Sequence, residues 1–352
     1  MDFSKVMMLS RALIGSLAVF LLIGCGSPEE TKTVGETASA TAGAVNVYSG
    51  RHYDSDLEIF DAFTAETGIN INLIEAGGDA LIERLAREKE ASPADLFITA
   101  DAGILWRAEN RGVLKSIDDP ELEARVRAQF RHPDGKWFGL SSRARIVIFN
   151  KEMGLPAGLS TYEDLAKPEY EGMICIRSST NIYNQSLLAS IIAHHGSEAA
   201  EDWARGVVAN FARKPQGNDT SQIEAVAAGL CRIAVVNSYY VARFVDGEIG
   251  QKIGALFPNQ AGRGTHVNIS GAGVAAFAPN EENALLLLKF LLRDETQQAF
   301  ALGNNEYPIV ESVSSAGPVA TLGDFKSDTL PAAALGENQR QAVEIFDRVG
   351  WP

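Results

Sequence analysis

The stretch Ile233-Ala234-Val235-Val236-Asn237-Ser238-Tyr239-Tyr240 holds the reading of the fold. Its first four residues predict a short buried strand. Adjacent tyrosines inside a strand would point to opposite faces. Just past the strand end, where the chain turns into a helix, both phenols can face one cleft. Ordinary packing is the plain alternative for such a pair. Two further groups count against it. Arg51-His52-Tyr53 follows a strand predicted over 45–48, and Ser178-Ser179-Thr180-Asn181-Ile182-Tyr183 follows one over 173–177. Three strand ends, each delivering a phenol and one also an imidazole, suggest a metal site.

Working outward, the chain alternates strand and helix. Strands are expected over 45–48, 69–74 and 95–99, with helices over 56–67 (stopped at Gly68), from a cap at Asp79 to about 90, and around 103–110. The segment 137–150 contains Ser141-Ser142-Arg143-Ala144-Arg145 followed by an apolar run, and reads as a strand crossing between two lobes. Beyond it come a helix near 161–165, a strand carrying Cys175, helices over 181–195 and 197–211, a helix over 220–228 capped by Thr220, and a strand carrying Cys231. A return crossing over 266–277 and a helix over 284–292 follow. The stretch 301–352 reads as loop-rich, with one helix near 337–348. Such alternation with short links predicts an α/β fold with mainly parallel sheets flanked by helices, whose ligands collect at the carboxyl ends of the strands.

The 352-residue length suggests about two domains. A net charge of −14 argues against nucleic acid or an anionic membrane face as partner and suits a cationic ligand. At the N-terminus, Lys5 and Arg11 precede an apolar run over 12–23 that is short for a membrane span. The run ends Leu22-Ile23-Gly24-Cys25, which resembles the lipobox of bacterial lipoproteins. On that resemblance 1–24 is a signal peptide and Cys25 becomes the lipidated first residue; a plain secretory signal is the alternative. Residues 25–43, rich in Ser, Thr, Ala and Gly, read as a flexible tether. Cys175 and Cys231 remain. In an exported protein the pair suggests a disulfide, with two buried free thiols as the alternative.

Several motifs are set aside. Gly271-Ala272-Gly273-Val274-Ala275-Ala276 fits a loose dinucleotide fingerprint, but Phe277 extends the strand and Pro279 follows, so no helix opens on it. His194-His195 reads as a helix C-terminal feature. His132, before a Pro-Asp-Gly turn, is expected to be solvated.

Phenol ionises near pH 10, so it binds strongly to a metal acidic enough to displace its proton. Ferric iron, hard and trivalent, suits phenolate oxygen; zinc favours His and Cys, and calcium favours carboxylates. Four phenolates on such an ion leave a charge of −1, which needs a cationic partner once desolvated. Arg143 is the expected donor, with Arg51 or Arg145 as alternates.

The segments Val47-Tyr48-Ser49-Gly50-Arg51-His52-Tyr53, Ser92-Pro93-Ala94-Asp95-Leu96-Phe97-Ile98-Thr99, Ser141 to Arg145, Arg177 to Leu187 and Asn237 to Arg243 resemble the ferric-iron-binding components of bacterial ABC importers. The resemblance runs from about residue 44 to the C-terminus. It implies a two-lobed periplasmic-binding-protein fold of type II joined by crossing strands, with lobe 1 over 44–145, lobe 2 over 146–272, and 273–352 returning to lobe 1 and packing on both. It also implies that Tyr53, Tyr183, Tyr239 and Tyr240 are the ligands of Fe(III), with His52 a possible fifth. The branch that uses a glutamate and an external anion has its carboxylate where this chain has Ala100, a departure that speaks against an external anion and leaves the adjacent Asp101 open as a ligand. A monomeric, non-enzymatic protein that hands iron to an ABC permease, held to a membrane by a lipid, is the implied whole. An aromatic box for an organic cation, or an oxyanion site, is the competing reading; an enzyme between the lobes lacks a nucleophile–base constellation.

Overall fold

The computed structural model describes residues 43–352. The expected leader, Cys25 and the tether up to residue 42 lie outside the described residues.

The first sheet begins with β1 (Ala44–Ser49), followed by α1 (Asp54–Thr67), β2 (Asn70–Glu75), α2 (Gly78–Glu88), β3 (Leu96–Thr99), α3 (Ala102–Asn110) and the short α4 (Pro120–Arg125). β1 lies parallel to both β2 and β3, as right-handed strand–helix–strand units require. The thirteen-residue β4 (Phe138–Asn150) then runs through two sheets. Its first half, Phe138 to Ala144, pairs antiparallel with β8 (Val267–Val274). From Arg145 to Phe149 it pairs instead with β6 (Ile233–Asn237). The crossing between lobes is therefore the single peptide step from Ala144 to Arg145. β8 also pairs antiparallel with β3, so the strand order is β2-β1-β3-β8-β4-β6-β5.

The second lobe is built on β5 (Ile174–Cys175), which lies parallel to β6. Around these strands pack α5 (Ile182–His195), α6 (Ser197–Ala209), α7 (Asp219–Ala227), the five-residue α8 (Ser238–Ala242), α9 (Glu248–Lys252) and the strand β7 (Ile253–Leu256) on β4. The chain returns through β8 to α10 (Glu281–Leu291), α11 (Asp294–Asn304), β9 (Tyr307–Pro308) and α12 (Gly317–Ala320), then ends in α13 (Ala333–Glu337) and α14 (Gln339–Val349).

Two apolar clusters make up the core, and the first also runs into the second lobe through Cys175, Ile223, Val226, Ala234 and Val236. Phe63, Phe97, Trp137, Leu287 and Phe290 belong to the first, where Phe63 meets Phe290 edge-on with centroids 5.4 Å apart. Tyr162, Leu188, Trp203, Phe346 and Trp351 belong to the second. There the C-terminal Trp351 stacks obliquely on Phe346 at 4.7 Å, docking α14.

Several local expectations are corrected. Asp79 lies inside the first turn of α2, whose cap position is Gly77, and its carboxylate is drawn instead to Arg107 at 2.8 Å. The cap of α7 is Asn218, which accepts from the Ser221 amide; a side chain two residues from Thr220 reaches the free N–H groups first. The turn near 161–165 is a short 3₁₀ segment, Glu163–Ala166. Cys231 precedes β6 rather than sitting in it. The stretch beyond 301 holds α12 and α13 besides α14, elements too short for hydrophobic periodicity to mark. His132 is buried: Glu109 meets its Nε2 at 2.9 Å and the Asp134 amide donates to its Nδ1. The Gly271/Gly273 pair lies within β8, where added Cβ atoms would fall 2.8 Å from the Phe138 carbonyl and 2.5 Å from that of Lys136. Close strand packing, and not a phosphate, explains those glycines.

Candidate metal centre

The four tyrosines all sit where a helix begins. Tyr53 occupies the cap position of α1 in extended conformation and makes no side-chain cap bond, so its ring is free to leave the helix axis. Tyr183 is the second residue of α5, whose cap Asn181 accepts from the Tyr183 amide at 3.2 Å. Tyr239 and Tyr240 fall in the single turn of α8, directly beyond β6. Their rings tilt against each other with centroids 4.4 Å apart. The unsatisfied N–H groups of a helix start favour negative charge nearby, so these positions suit phenolates.

The structure brings the phenols together. The Tyr239 hydroxyl donates to the Tyr183 hydroxyl at 3.0 Å. Tyr53 stands close enough to Tyr183 to feel its charge, and close enough to Tyr239 to be felt there. Burial pushes the phenols of Tyr53, Tyr183 and Tyr239 above their ordinary range. For Tyr53 the Glu306 carboxylate adds to this; for Tyr239 the other phenols do. Arg143 pulls all three downward. At neutral pH these three phenols are therefore protonated, and a cation that enters must displace their protons.

Beneath the phenols lie buried charges. Arg51 donates to both oxygens of Asp56 (2.7 and 3.1 Å) and to Glu306 and Ser141 (3.3 Å each). Its guanidinium lies 4.7 Å from the Tyr53 ring centroid. Arg143 donates to the Ser270 hydroxyl at 3.1 Å and stands 4.0 Å from Glu306. Its Nη2 is buried and has no hydrogen-bond partner, and neither does Oε1 of Glu306. A buried guanidinium with a free donor beside four phenols is the donor set a net-negative phenolate complex requires. Arg145, the alternate, is already committed: it donates to Asp219, Asn237 and Asn184 at 2.7, 3.1 and 2.8 Å. It ties α7, β6 and α5 to the crossing strand.

Two sequence candidates stand apart from the cluster. His52 is solvent-exposed and faces Glu75 at the end of β2, Nδ1 to carboxylate 3.5 Å. Asp101 caps α3, accepting from the Ile104 amide at 3.2 Å, and its other oxygen accepts from Asn268 at 2.7 Å and Ser186 at 3.2 Å, so its carboxylate is already held by protein donors. Glu306 was missed by sequence reasoning; it lies in a polar stretch, Asn304-Asn305-Glu306, with no motif to flag it. Arg243, whose guanidinium lies 5.6 and 5.1 Å from the rings of Tyr239 and Tyr240, was missed likewise. Cys175 and Cys231 face each other with Cα atoms 5.8 Å apart, the span a disulfide takes.

Residues 91–321 match the family model described as bacterial extracellular solute-binding protein. The chain is 45% identical to iron uptake protein A1 of a Synechocystis strain, over 94% of this chain and 93% of that one. It is 42% identical to iron uptake protein A2 of the same strain, over 96% of each. Among solved structures, a Trichodesmium IdiA/FutA protein in complex with iron and citrate superposes with a TM-score of 0.85 at 50% identity, covering 88% of this chain and all of that one. The ferric binding protein of Campylobacter jejuni gives 0.82 at 40% identity, covering 88% of this chain and 100% of its own. These neighbours share the two-lobed type II periplasmic-binding fold. The chain belongs to the bacterial extracellular solute-binding proteins, on the branch that includes the iron-uptake and ferric-binding proteins.

Proposed function

We propose that this protein captures ferric iron in the cleft between its lobes and presents it to an ABC permease. The observation that carries the reading is the convergence of Tyr183 and Tyr239, hydroxyls 3.0 Å apart, with Tyr53 and Tyr240 beside them and the unpartnered donor of Arg143 below. The phenols of Tyr53, Tyr183, Tyr239 and Tyr240 ligate the ion; Arg143 and Arg51 offset the surplus negative charge. His52, exposed beside Glu75, would have to swing inward to serve as a fifth ligand. Tyr53 arrives from the first lobe and the other three from the second, so the ion links the lobes, and the closed form is what a permease recognises. Reduction to iron(II), a softer and less acidic ion, or protonation of the phenolates releases it. Catalysis forms no part of the role.

The protein is placed outside the cytoplasm, anchored through a lipid on Cys25, with Cys175 and Cys231 bonded. The deciding experiment is to purify the domain from residue 43 onward and record its metal content and visible spectrum, with and without added citrate. A phenolate-to-iron band in the visible supports the reading. Colourless protein that takes up no ferric iron would end it.

A further inference from the structure

Two and three residues after Tyr183 on α5 stand Gln185 and Ser186; Ser186 is bonded directly to the first lobe, and Gln185 is tied to it through Gln339 of α14. Asp101, the cap of α3 and 1% exposed, accepts from the Ser186 hydroxyl at 3.2 Å. Asn268 on β8 completes the knot: its amide nitrogen donates to Asp101 at 2.7 Å and to Ser186 at 2.7 Å, while its oxygen accepts from the Ala102 amide at 3.0 Å. Two turns further along α3, Arg107 donates to Gln339 at the start of α14, and Gln339 donates to Gln185 at 3.1 Å. Asp79 holds Arg107 from the other side at 2.8 Å. Between the two grips lies Gly103, where a Cβ would stand 2.8 Å from Gln339 Oε1 and 2.9 Å from Asp101 Oδ1, so any side chain would force the two apart. Helix α3 therefore reaches the first turn of α5 through two polar routes, one buried and one through the C-terminal helices.

We propose that α3 of the first lobe is a clamp on the first turn of α5, with Asp101, Asn268, Arg107 and Gln339 acting as positioning residues that set Tyr183 and hold the lobes together around the ion. Asp101 acts here through Ser186 and not on the metal. Each route contains a hydrogen bond that crosses between the lobes, Ser186 to Asp101 in one and Arg107 to Gln339 in the other, so each favours the joined arrangement over a separated one. Their loss leaves all four phenols in place and shortens the time the ion stays bound.

This inference rests on the iron-binding reading, and the experiment separates the two. Ser186→Ala cuts the buried route and Gln339→Ala cuts the other; neither removes a phenol. Ferric-loaded wild type, each single variant and the double variant are mixed with excess chelator, and iron loss is followed through the visible band. The expected result is release faster by about three- to tenfold in each single variant and more in the double, with the band position unchanged. Small-angle scattering of the iron-free double variant should show a larger radius of gyration than wild type. Wild-type release rates in both single variants would overturn the clamp. A shifted band would overturn it too, since that means an altered ligand set. Wild type that never develops the band defeats the iron-binding reading itself. Should Ser186→Ala fail to fold, Gln339→Ala, which alters only the first residue of α14, carries the same test.

Discussion

The Tyr239 hydroxyl donates to the Tyr183 hydroxyl across 3.0 Å, joining the turn after β6 to the start of α5. Two phenols that close, with Tyr239 almost wholly buried, would each be better served by an amide or a carboxylate if stability were their only purpose. Converting Tyr183, Tyr239, Tyr240 or Tyr53 singly to Phe is therefore expected to cost roughly 100-fold or more in ferric affinity, as loss of a direct ligand does. Folding stability should change by no more than about 1 kcal/mol, since only a neutral hydrogen bond is lost. Visible titration against a competing chelator measures the first, and chemical denaturation followed by circular dichroism the second.

Affinity should depend steeply on pH. Burial raises the phenols of Tyr53, Tyr183 and Tyr239 in the empty protein, so each must give up a proton on binding. The logarithm of the ferric affinity should climb with pH with a limiting slope near the number of ionising phenols, and acid should release the ion. The effect on the empty protein runs differently. Raised phenols favour the folded state fully below the ordinary value of 10.0, and that stabilisation is lost as pH rises through the folded values. His266 governs the acid side: burial, with Arg145 and Arg263 adding to it, lowers the imidazole from 6.5 to about 3. The unfolded chain takes the proton first, so stability present above pH 6.5 drains away as pH falls toward 3. His266→Gln should flatten that loss in acid-unfolding curves of the iron-free protein.

The parts of this molecule that were legible in the sequence are those with a local signature. β6 followed by Tyr239-Tyr240 is one, since a β-branched run sets the strand and its end sets where the phenols emerge. The lobe crossing was legible too, because Ser141 to Arg145 breaks an apolar pattern inside a strand that has no room for solvent. What stayed hidden depends on contacts far apart in the chain. Glu306 earns its place only through Arg51, 255 residues away, and Ser141, 165 residues away. Asp101 looked like a possible ligand because its partners Ser186 and Asn268 lie 85 and 167 residues off. His132 looked solvated because a Pro-Asp-Gly turn follows it, yet Glu109 on α3 and Trp137 just before β4 enclose it.

Cys175 and Cys231 close a loop of 56 residues that contains all of α5, α6 and α7. If bonded, they should lower the entropy of the unfolded chain and stabilise the fold by about 4 kcal/mol. Cys175→Ser or Cys231→Ser, or reduction under denaturing conditions, is expected to lower the melting temperature markedly. Thiol titration of the unfolded, unreduced domain from residue 43 should find no free cysteine; two free thiols would show that the pair is not bonded.

Cys25 is tested in cells. With Cys25 changed to Ala, the protein should appear in the soluble extracytoplasmic fraction, and lipid labelling should vanish. Persistent membrane association of the variant would point to attachment by some other means and would count against the lipoprotein reading.

Arg143 carries the last prediction. It lies at the crossing strand, 2% exposed, with one nitrogen unpartnered and a carboxylate 4.0 Å away. Its charge is met by Glu306, as that of Arg51 is by Asp56 and Glu306. Four phenolates around iron(III) would add one negative charge, and the buried free nitrogen of Arg143 is the donor placed to meet it. Arg143→Gln keeps the shape and a donor but removes the charge. It should weaken ferric binding by about 10- to 100-fold, the range typical for residues that support a metal ligand from behind. Arg143→Lys keeps the charge but loses the second nitrogen, so it should fall between wild type and Gln. The ordering wild type, Lys, Gln in chelator competition is the signature of charge compensation. Equal losses in both variants would mean that geometry, and not charge, is what Arg143 supplies.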